Sequence, residues 1–338
     1  MLYGDANAVL KEKRSDRYVN IGSNLKLNFC LTTAAPPLKL SDKEVELLTM
    51  SETLGGIVEF KSIIAEQPQL QLVLNRKDLS KFVSDGKIGV ILGLQNTPID
   101  VDPQALFKAG VRVMCLAYYE ENPLGSGFLN WGIGLKSLGR KFIEKCADVG
   151  MVIDLSHVGY QTALDTLVFI KKSRLNCRVM ASHSGCVAVY PHMRNITDDL
   201  MKKIVDLGGV VGITSVTFNL DQRDNTINPF LEHLKHAIEV CGKENVVIGS
   251  DAIYGERTPE EGQEDMKKIA PRADPLGIQG IRYPETIYEG PKLMRKISDG
   301  ISDLYTHNSE WSVFDPDEVE RIMGKNLLNF FERALPPH

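Results

Sequence analysis

No stretch of the 338-residue chain reaches the roughly 18 consecutive apolar residues that a membrane-spanning helix needs. Residues 1–17 show no basic segment followed by an apolar core, so neither a signal peptide nor a membrane anchor is expected. The six cysteines (Cys30, Cys115, Cys146, Cys177, Cys186, Cys241) form no CxxC pair, which removes the usual zinc-ribbon and thiol-redox motifs. Most sit in apolar runs, where a thiol behaves as a small hydrophobe, and a reducing cytoplasm is the expected setting. No GxGxxG follows a first strand, so dinucleotide binding is not indicated. Blocks of one charge are missing as well. Lys+Arg total 39 against 44 Asp+Glu, a net of −5 spread along the chain, which argues against nucleic acid or an anionic membrane as partner.

What is present is a rhythm. From residue 88 onward, short apolar runs alternate with helical patterns: Ile88–Leu94, a short helix over 103–109, Val111–Ala117, a helix over 135–149 closing at Gly150, the run ending at His157, a helix over 160–172, and the run ending at His183. A helix from Thr197, strands over 208–213 and 245–249, and a helix over 229–241 continue it. Before residue 88 the expectations are a first strand within 3–10, a half-buried strand over 21–31, a helix over 41–53 opened by a Ser41–Glu44 capping box, and a second helix over 58–66. Residues 252–290 read as an extended loop insertion, and helices over 292–303 and 318–334 close the chain. Six or seven strands alternating with helices predict one domain over 1–338, a distorted (β/α)8 TIM barrel. Residues 1–40 form its divergent first-strand region. The barrel is favoured over an open sheet because polar residues close nearly every strand: Gln95, Tyr118, His157, His183, Thr214 and Asp251.

Two imidazoles and a carboxylate at neighbouring strand ends suit a divalent metal, zinc first, since catalytic zinc takes three ligands of histidine and carboxylate type. Such a site activates water while a nearby carboxylate moves the proton. Arg194, on the loop after the His183 strand, can hold a carboxylate through two parallel hydrogen bonds. The plainer reading has His157 and His183 as strand ends bonded to backbone and Asp251 as a loop cap. His233 and His236 share a helix face without a carboxylate at ligand spacing and are expected to be structural. His192, His307 and His338 read as loop or tail residues. The Gly-rich segment 121–134 is long enough for a lid.

These phrases together resemble the membrane (renal) dipeptidase family of the amidohydrolase superfamily: Asp154-Leu-Ser-His-Val158, Ala181-Ser-His-Ser184, Arg194-Asn-Ile-Thr-Asp-Asp199, Gly209-Val-Val-Gly212 and Val247-Ile-Gly-Ser-Asp251. Gly134-Leu-Lys-Ser-Leu-Gly139 and Ile322-Met-Gly-Lys-Asn326 fit the same pattern. The resemblance covers roughly 85–330 and implies a binuclear zinc peptidase acting on dipeptides or small amides. It assigns His157 and His183 to the second metal, Arg194 to the substrate carboxylate and Asp251 to proton transfer.

The departures are specific. The family's His-x-Asp pair for the first metal falls on Asn7 and Val9, and the chain holds no His-x-Asp or His-x-His anywhere. The bridging glutamate falls on Gln95, a poor zinc ligand beside Asp or Glu. The histidine that stabilises the tetrahedral intermediate falls on Tyr118, a phenol able to donate the same hydrogen bond. At most one metal ion is therefore expected, zinc or another divalent, with none as the limit. Three functions stay open: a dipeptidase-like metallohydrolase, a binding protein for a small carboxylate ligand, and a hydrolase of a non-peptide amide or ester. The expected partners are small molecules or dipeptides, with a homodimer on base rates.

Overall fold

A computed structural model describes residues 1–10, 27–34, 39–40, 45–221, 224, 226–254, 294, 297–301 and 316–338. In chain order the strands are β1 (Gly4–Asp5), β2 (Ala8–Val9), β3 (Phe29–Thr33), β4 (Lys39–Leu40), β5 (Val45–Glu46), β6 (Leu70–Leu72), β7 (Ile88–Leu94), β8 (Val111–Cys115), β9 (Val152–Asp154), β10 (Val179–Ser184), β11 (Val210–Ile213), β12 (Val246–Ile248) and β13 (Ala252–Ile253). The helices are α1 (Met50–Glu66), α2 (Arg76–Asp85), α3 (Pro103–Ala109), α4 (Ser137–Val149), α5 (Tyr160–Ser173), α6 (Asp198–Asp206), α7 (Thr217–Leu220), α8 (Asn228–Cys241), α9 (Pro316–Glu320) and α10 (Asn326–Ala334), the last two joined by a π turn over Arg321–Lys325.

Eight parallel strands run in the order β1, β3, β7, β8, β9, β10, β11, β12. The ring closes between its first and last strands through the Ala6 amide, which donates to Ile248 O at 2.8 Å. β6 shares one edge of β7 with β8: Leu70–Leu72 pair with Ile88–Val90, and β8 takes over from Leu92. This is the expected TIM barrel.

Side chains alternate along each strand, so the barrel has two cores. Phe29, Leu31, Ile91, Val113, Val152, Met180, Val210 and Val247 belong to the inner one, floored by Leu327, Phe330 and Phe331 of α10. Their neighbours Cys30, Leu92, Met114, Ile153, Val211 and Ile248 face outward against the helices. Burying a phenylalanine such as Phe330 contributes about 1.5–3 kcal/mol. Gly324 in the π turn lets α10 approach, because a Cβ there would collide with the Leu2 backbone. All six cysteines are buried and free, as expected.

The segment before residue 88 differs from expectation. Residues 41–44 lie outside the described residues, and Val45–Glu46 is a strand paired with Lys39–Leu40. A capping box is formed by Thr49 and Glu52, which bond each other's backbone and open one continuous α1 that takes in the end of the first expected helix and all of the second. Leu70–Leu72 and α2 were not anticipated. The first strand is split in two by the Ala6-Asn7 turn, and β2 pairs with β13. Residues 21–26 and nearly all of the expected 252–290 insertion lie outside the described residues, as does His307.

Candidate active site

Two buried carboxylates hold the strand ends, and they do so in the same way. Asp154, closing β9, accepts the amides of Ser156 (3.0 Å) and Ser182 (2.9 Å) and the Ser182 hydroxyl. Asp5, closing β1, accepts the amides of Asn7 (3.0 Å) and Ser250 (2.9 Å), the Ser250 hydroxyl, and the Tyr254 hydroxyl at 2.6 Å. Each carboxylate thus ties its own turn to a serine on another strand end, and the next residue after each serine, His183 or Asp251, enters the site. Burial pushes both carboxyls above the usual range, Asp5 to about 6, while these hydrogen bonds work the other way. Asp154 and Asp5 were not anticipated as site residues. Their signal was a carboxylate inside an apolar run, which must find partners when buried.

His183 lies within β10, but His157 stands three residues beyond β9, in a turn with φ 66°. That left-handed conformation is uncommon outside glycine and swings the imidazole inward. The Nε2 atoms of His157 and His183 come to 2.9 Å. His183 Nδ1 meets the Ser182 hydroxyl at 2.6 Å, so the order is Asp154, Ser182, His183, with a buried serine between acid and base rather than a nucleophile at the end. The plainer reading of these histidines as backbone-bonded strand ends does not describe them. Burial, with Arg194 adding a like charge, holds both imidazoles well below their usual range. They are neutral at pH 7, the form that ligates metals. His157 Nδ1 is buried without a partner, beside a cavity of about 10 Å³ lined by Ser184, Arg194 and Thr197. Gly212 and Gly249 leave room around this layer, since a Cβ at either would overlap Ser182 O.

Tyr118 stacks on the His157 ring at 4.0 Å between centroids. Tyr119 and Phe128 extend it into an aromatic wall. Burial raises the Tyr118 phenol well above its usual range, so it stays a donor. The segment behind the wall is anchored: Asn122 Oδ1 accepts two loop amides, Ser126 N donates to Thr162 Oγ1, and Trp131 Nε1 donates to Met193 O at 2.8 Å. In this structure the segment read as long enough for a lid backs the wall through these bonds.

Arg194 is buried. Its Nη1 donates to Ser184 Oγ (3.1 Å) and its Nη2 to His183 O (2.8 Å). That uses two of the five N–H donors of a guanidinium, and the other three have no partner among the described residues. Asn195 pins the loop by accepting from Gly185 N and donating to the carbonyls of Tyr190 and Asn219. His192, read as a loop residue, is buried and accepts from Arg194 N.

Asp251 also has a left-handed backbone, φ 58°. Its Oδ1 accepts from Asn7 Nδ2 at 2.7 Å, and Asn7 Oδ1 accepts from Gln95 Nε2 at 2.9 Å. Burial and Asp5 raise the Asp251 carboxyl to about 7, against the lowering pull of Arg194 and Asn7. Val9 takes no part; it sits in the small ladder with Ile253, and its carbonyl accepts from Tyr254 N. His233 is a buried core residue accepting from Cys186 N, and His236 bonds Asp198, so both are structural as expected.

The donor set decides what metal the site fits. Among the described residues no three His, Cys, Asp or Glu side chains come together. Within the described residues, then, the donors of a binuclear centre are not assembled. Two ligands of one tetrahedral zinc, at about 2.05 Å each, stand about 3.3 Å apart, close to the separation of the two Nε2 atoms. The spacing of His157 and His183 fits two ligand positions of a single ion.

Residues 30–272 match the family model described as membrane dipeptidase (peptidase family M19). An uncharacterized dipeptidase of Schizosaccharomyces pombe is 30% identical over 202 residues, 56% of this chain and 47% of that protein. The chain spans about half the length of the curated relatives it matches. Among solved structures, an amidohydrolase from Pseudomonas aeruginosa superposes with a TM-score of 0.74 at 21% identity, covering 98% of this chain and 96% of that one. A Rhodobacter sphaeroides metallo peptidase, liganded with a phosphinate mimic of the dipeptide L-Ala-D-Ala, gives 0.70 at 17% identity, with 99% of each chain covered. At these identities the structural likenesses speak to the fold.

Proposed function

The chain belongs to the membrane dipeptidase family, peptidase family M19, and on that premise we propose that it is a dipeptidase-like hydrolase of small amides bearing a free carboxylate, served by at most one divalent ion. The observation that carries this reading is the grouping of three elements: the neutral His157–His183 pair, an arginine with three uncommitted donors, and a carboxyl poised at about 7.

The uncommitted N–H groups of Arg194 take the substrate carboxylate, and the aromatic wall of Tyr118, Tyr119 and Phe128 bounds the ligand space beside His157. An ion held by His157 and His183, zinc first, would supply Lewis-acid polarisation of the scissile carbonyl. Asp251, its carboxyl raised by burial to about 7, accepts a proton from the attacking water and returns it to the leaving amine as the C–N bond breaks. The Tyr118 hydroxyl donates to the carbonyl oxygen as negative charge develops there.

Elemental analysis of the purified chain and a panel of dipeptides, N-acyl amino acids and esters test this. The expected result is up to one ion per chain, lost in the His157→Ala/His183→Ala double variant, with turnover of at least one carboxylate-bearing amide. No bound metal together with no turnover overturns it. One observation favours a second reading, a carboxylate-binding protein. The residues at the first-metal and bridging positions, Asn7 and Gln95, are neutral amides joined by a hydrogen bond from Gln95 to Asn7. On that reading the panel binds through Arg194 and is recovered intact. No helix among the described residues is long and apolar enough to cross a membrane.

A further inference from the structure

Asn7 grips Asp251 from both ends. Its side-chain amide donates to Asp251 Oδ1 at 2.7 Å, and its carbonyl accepts from the Asp251 amide at 2.8 Å. The side-chain bond has a fixed polarity. With Gln95 Nε2 donating into Asn7 Oδ1, the NH2 end of Asn7 faces Asp251; flipping Asn7 alone would set oxygen against oxygen and NH2 against NH2. The two amides therefore lie head to tail with their positive ends toward the carboxylate, and hydrogen bonds in such a chain reinforce one another. Asp251 Oδ2 has no hydrogen bond among the described residues, so the chain anchors one oxygen and leaves the other for chemistry.

We propose that Asn7 is a positioning residue for Asp251, and that Gln95 acts through Asn7 by fixing which way its amide points. The amide pair orients Asp251 and favours its ionised form where the family's resemblance places metal ligands, so no first cation is needed for that task. Asp251 also faces Arg194, from the loop after β10, the Asp5 carboxyl of β1, and the neutral Tyr118 hydroxyl beyond β8. Burial and Asp5 favour the neutral carboxyl, Arg194 and the Asn7 hydrogen bond favour the ionised one, and Asn7 is the neutral donor among them. The consequence for turnover rests on the hydrolase reading; the positioning itself does not.

The test is a carboxyl 13C NMR titration of the full chain carrying labelled aspartate, with Asp251→Asn to assign the signal and near-UV circular dichroism to follow the fold. The wild-type midpoint is expected near 7. Asn7→Ala raises it by about one unit, and Gln95→Leu raises it by less. Asn7→Asp keeps the size of the side chain, so a merely structural role survives it. A positioning role does not, and the facing carboxyls then titrate in two separated steps. Should Asn7→Ala fail to fold, Gln95→Leu and Asn7→Ser carry the measurement. Midpoints within about 0.2 units of wild type in the folded variants overturn the proposal. A shifted midpoint in a chain whose wild type turns nothing over leaves the positioning standing and removes the hydrolase reading. Turnover with an unmoved midpoint does the reverse.

Discussion

His157 and His183 point their Nε2 atoms at one another across 2.9 Å, although their backbones differ: one is in a strand, the other in a left-handed turn beyond one. The Ser182 hydroxyl, itself bonded to Asp154, fixes the ring of His183. Partners behind a ligating imidazole commonly set metal affinity within a factor of 10–100. Ser182→Ala is expected to weaken zinc binding by about that factor, read by competition with a fluorescent chelator. Unchanged affinity would mean that the serine does not hold the ligand.

Arg194→Met should abolish recognition of carboxylate-bearing ligands. Loss of a paired, buried charge interaction costs about 2–5 kcal/mol in binding, or more than thirtyfold in affinity. Calorimetry with an N-acyl amino acid and with its methyl amide checks this: the wild type discriminates between them, and the variant does not.

Asp251 is held at a cost to the fold. Its folded value of about 7 lies above the ordinary 3.8, so the unfolded chain ionises first as pH rises. The stabilising effect of the neutral carboxyl is complete below about 3.8 and is lost between there and 7. Asp251→Asn removes the penalty. It is expected to add about 4 kcal/mol at pH 8 and almost nothing at pH 4, while turnover disappears. Thermal unfolding at the two pH values would show it; equal gains at both would point to another cause.

Phe330 belongs to the floor of the inner barrel core, fully buried against the strand residues. Phe330→Ala is expected to destabilise by about 3–5 kcal/mol. Urea unfolding should show a lower midpoint with an unchanged slope. A loss below about 1 kcal/mol would mean that α10 is not part of the core.

The barrel was legible where local chemistry punctuates it. Ile88–Leu94 and Pro103–Ala109 match expectation to the residue, because Lys87, Gln95, Asp102 and Gly110 mark their ends. The N-terminal quarter was not, for reasons that can be named. Ser41–Glu44 and Thr49–Glu52 carry the same capping pattern eight residues apart, and propensity cannot choose between them. α2 buries only Leu79 and Phe82 among ten residues, too sparse for a periodic signal. In the site, His157, His183 and Asp251 were visible as polar ends of apolar runs and Arg194 as a cation on the loop that follows one, and the structure brings them to one region. The Asp5–Ser250 and Asp154–Ser182 ties, and the Gln95–Asn7–Asp251 chain, join residues 28 to 245 positions apart. Nothing local announces them.

The tie between Asp5 and Ser250 also sets an order of assembly. Asp5, Ala6 and Asn7 emerge before their partners Ser250, Ile248 and Asp251, which follow some 240 residues later. At about 5–20 residues per second that is a wait of roughly ten seconds to a minute, during which β3 to β11 can already pair along neighbouring stretches. The ring, and with it the acidic half of the site, is then sealed last. Limited proteolysis during refolding should find residues 1–10 protected only after the β10–β11 region is.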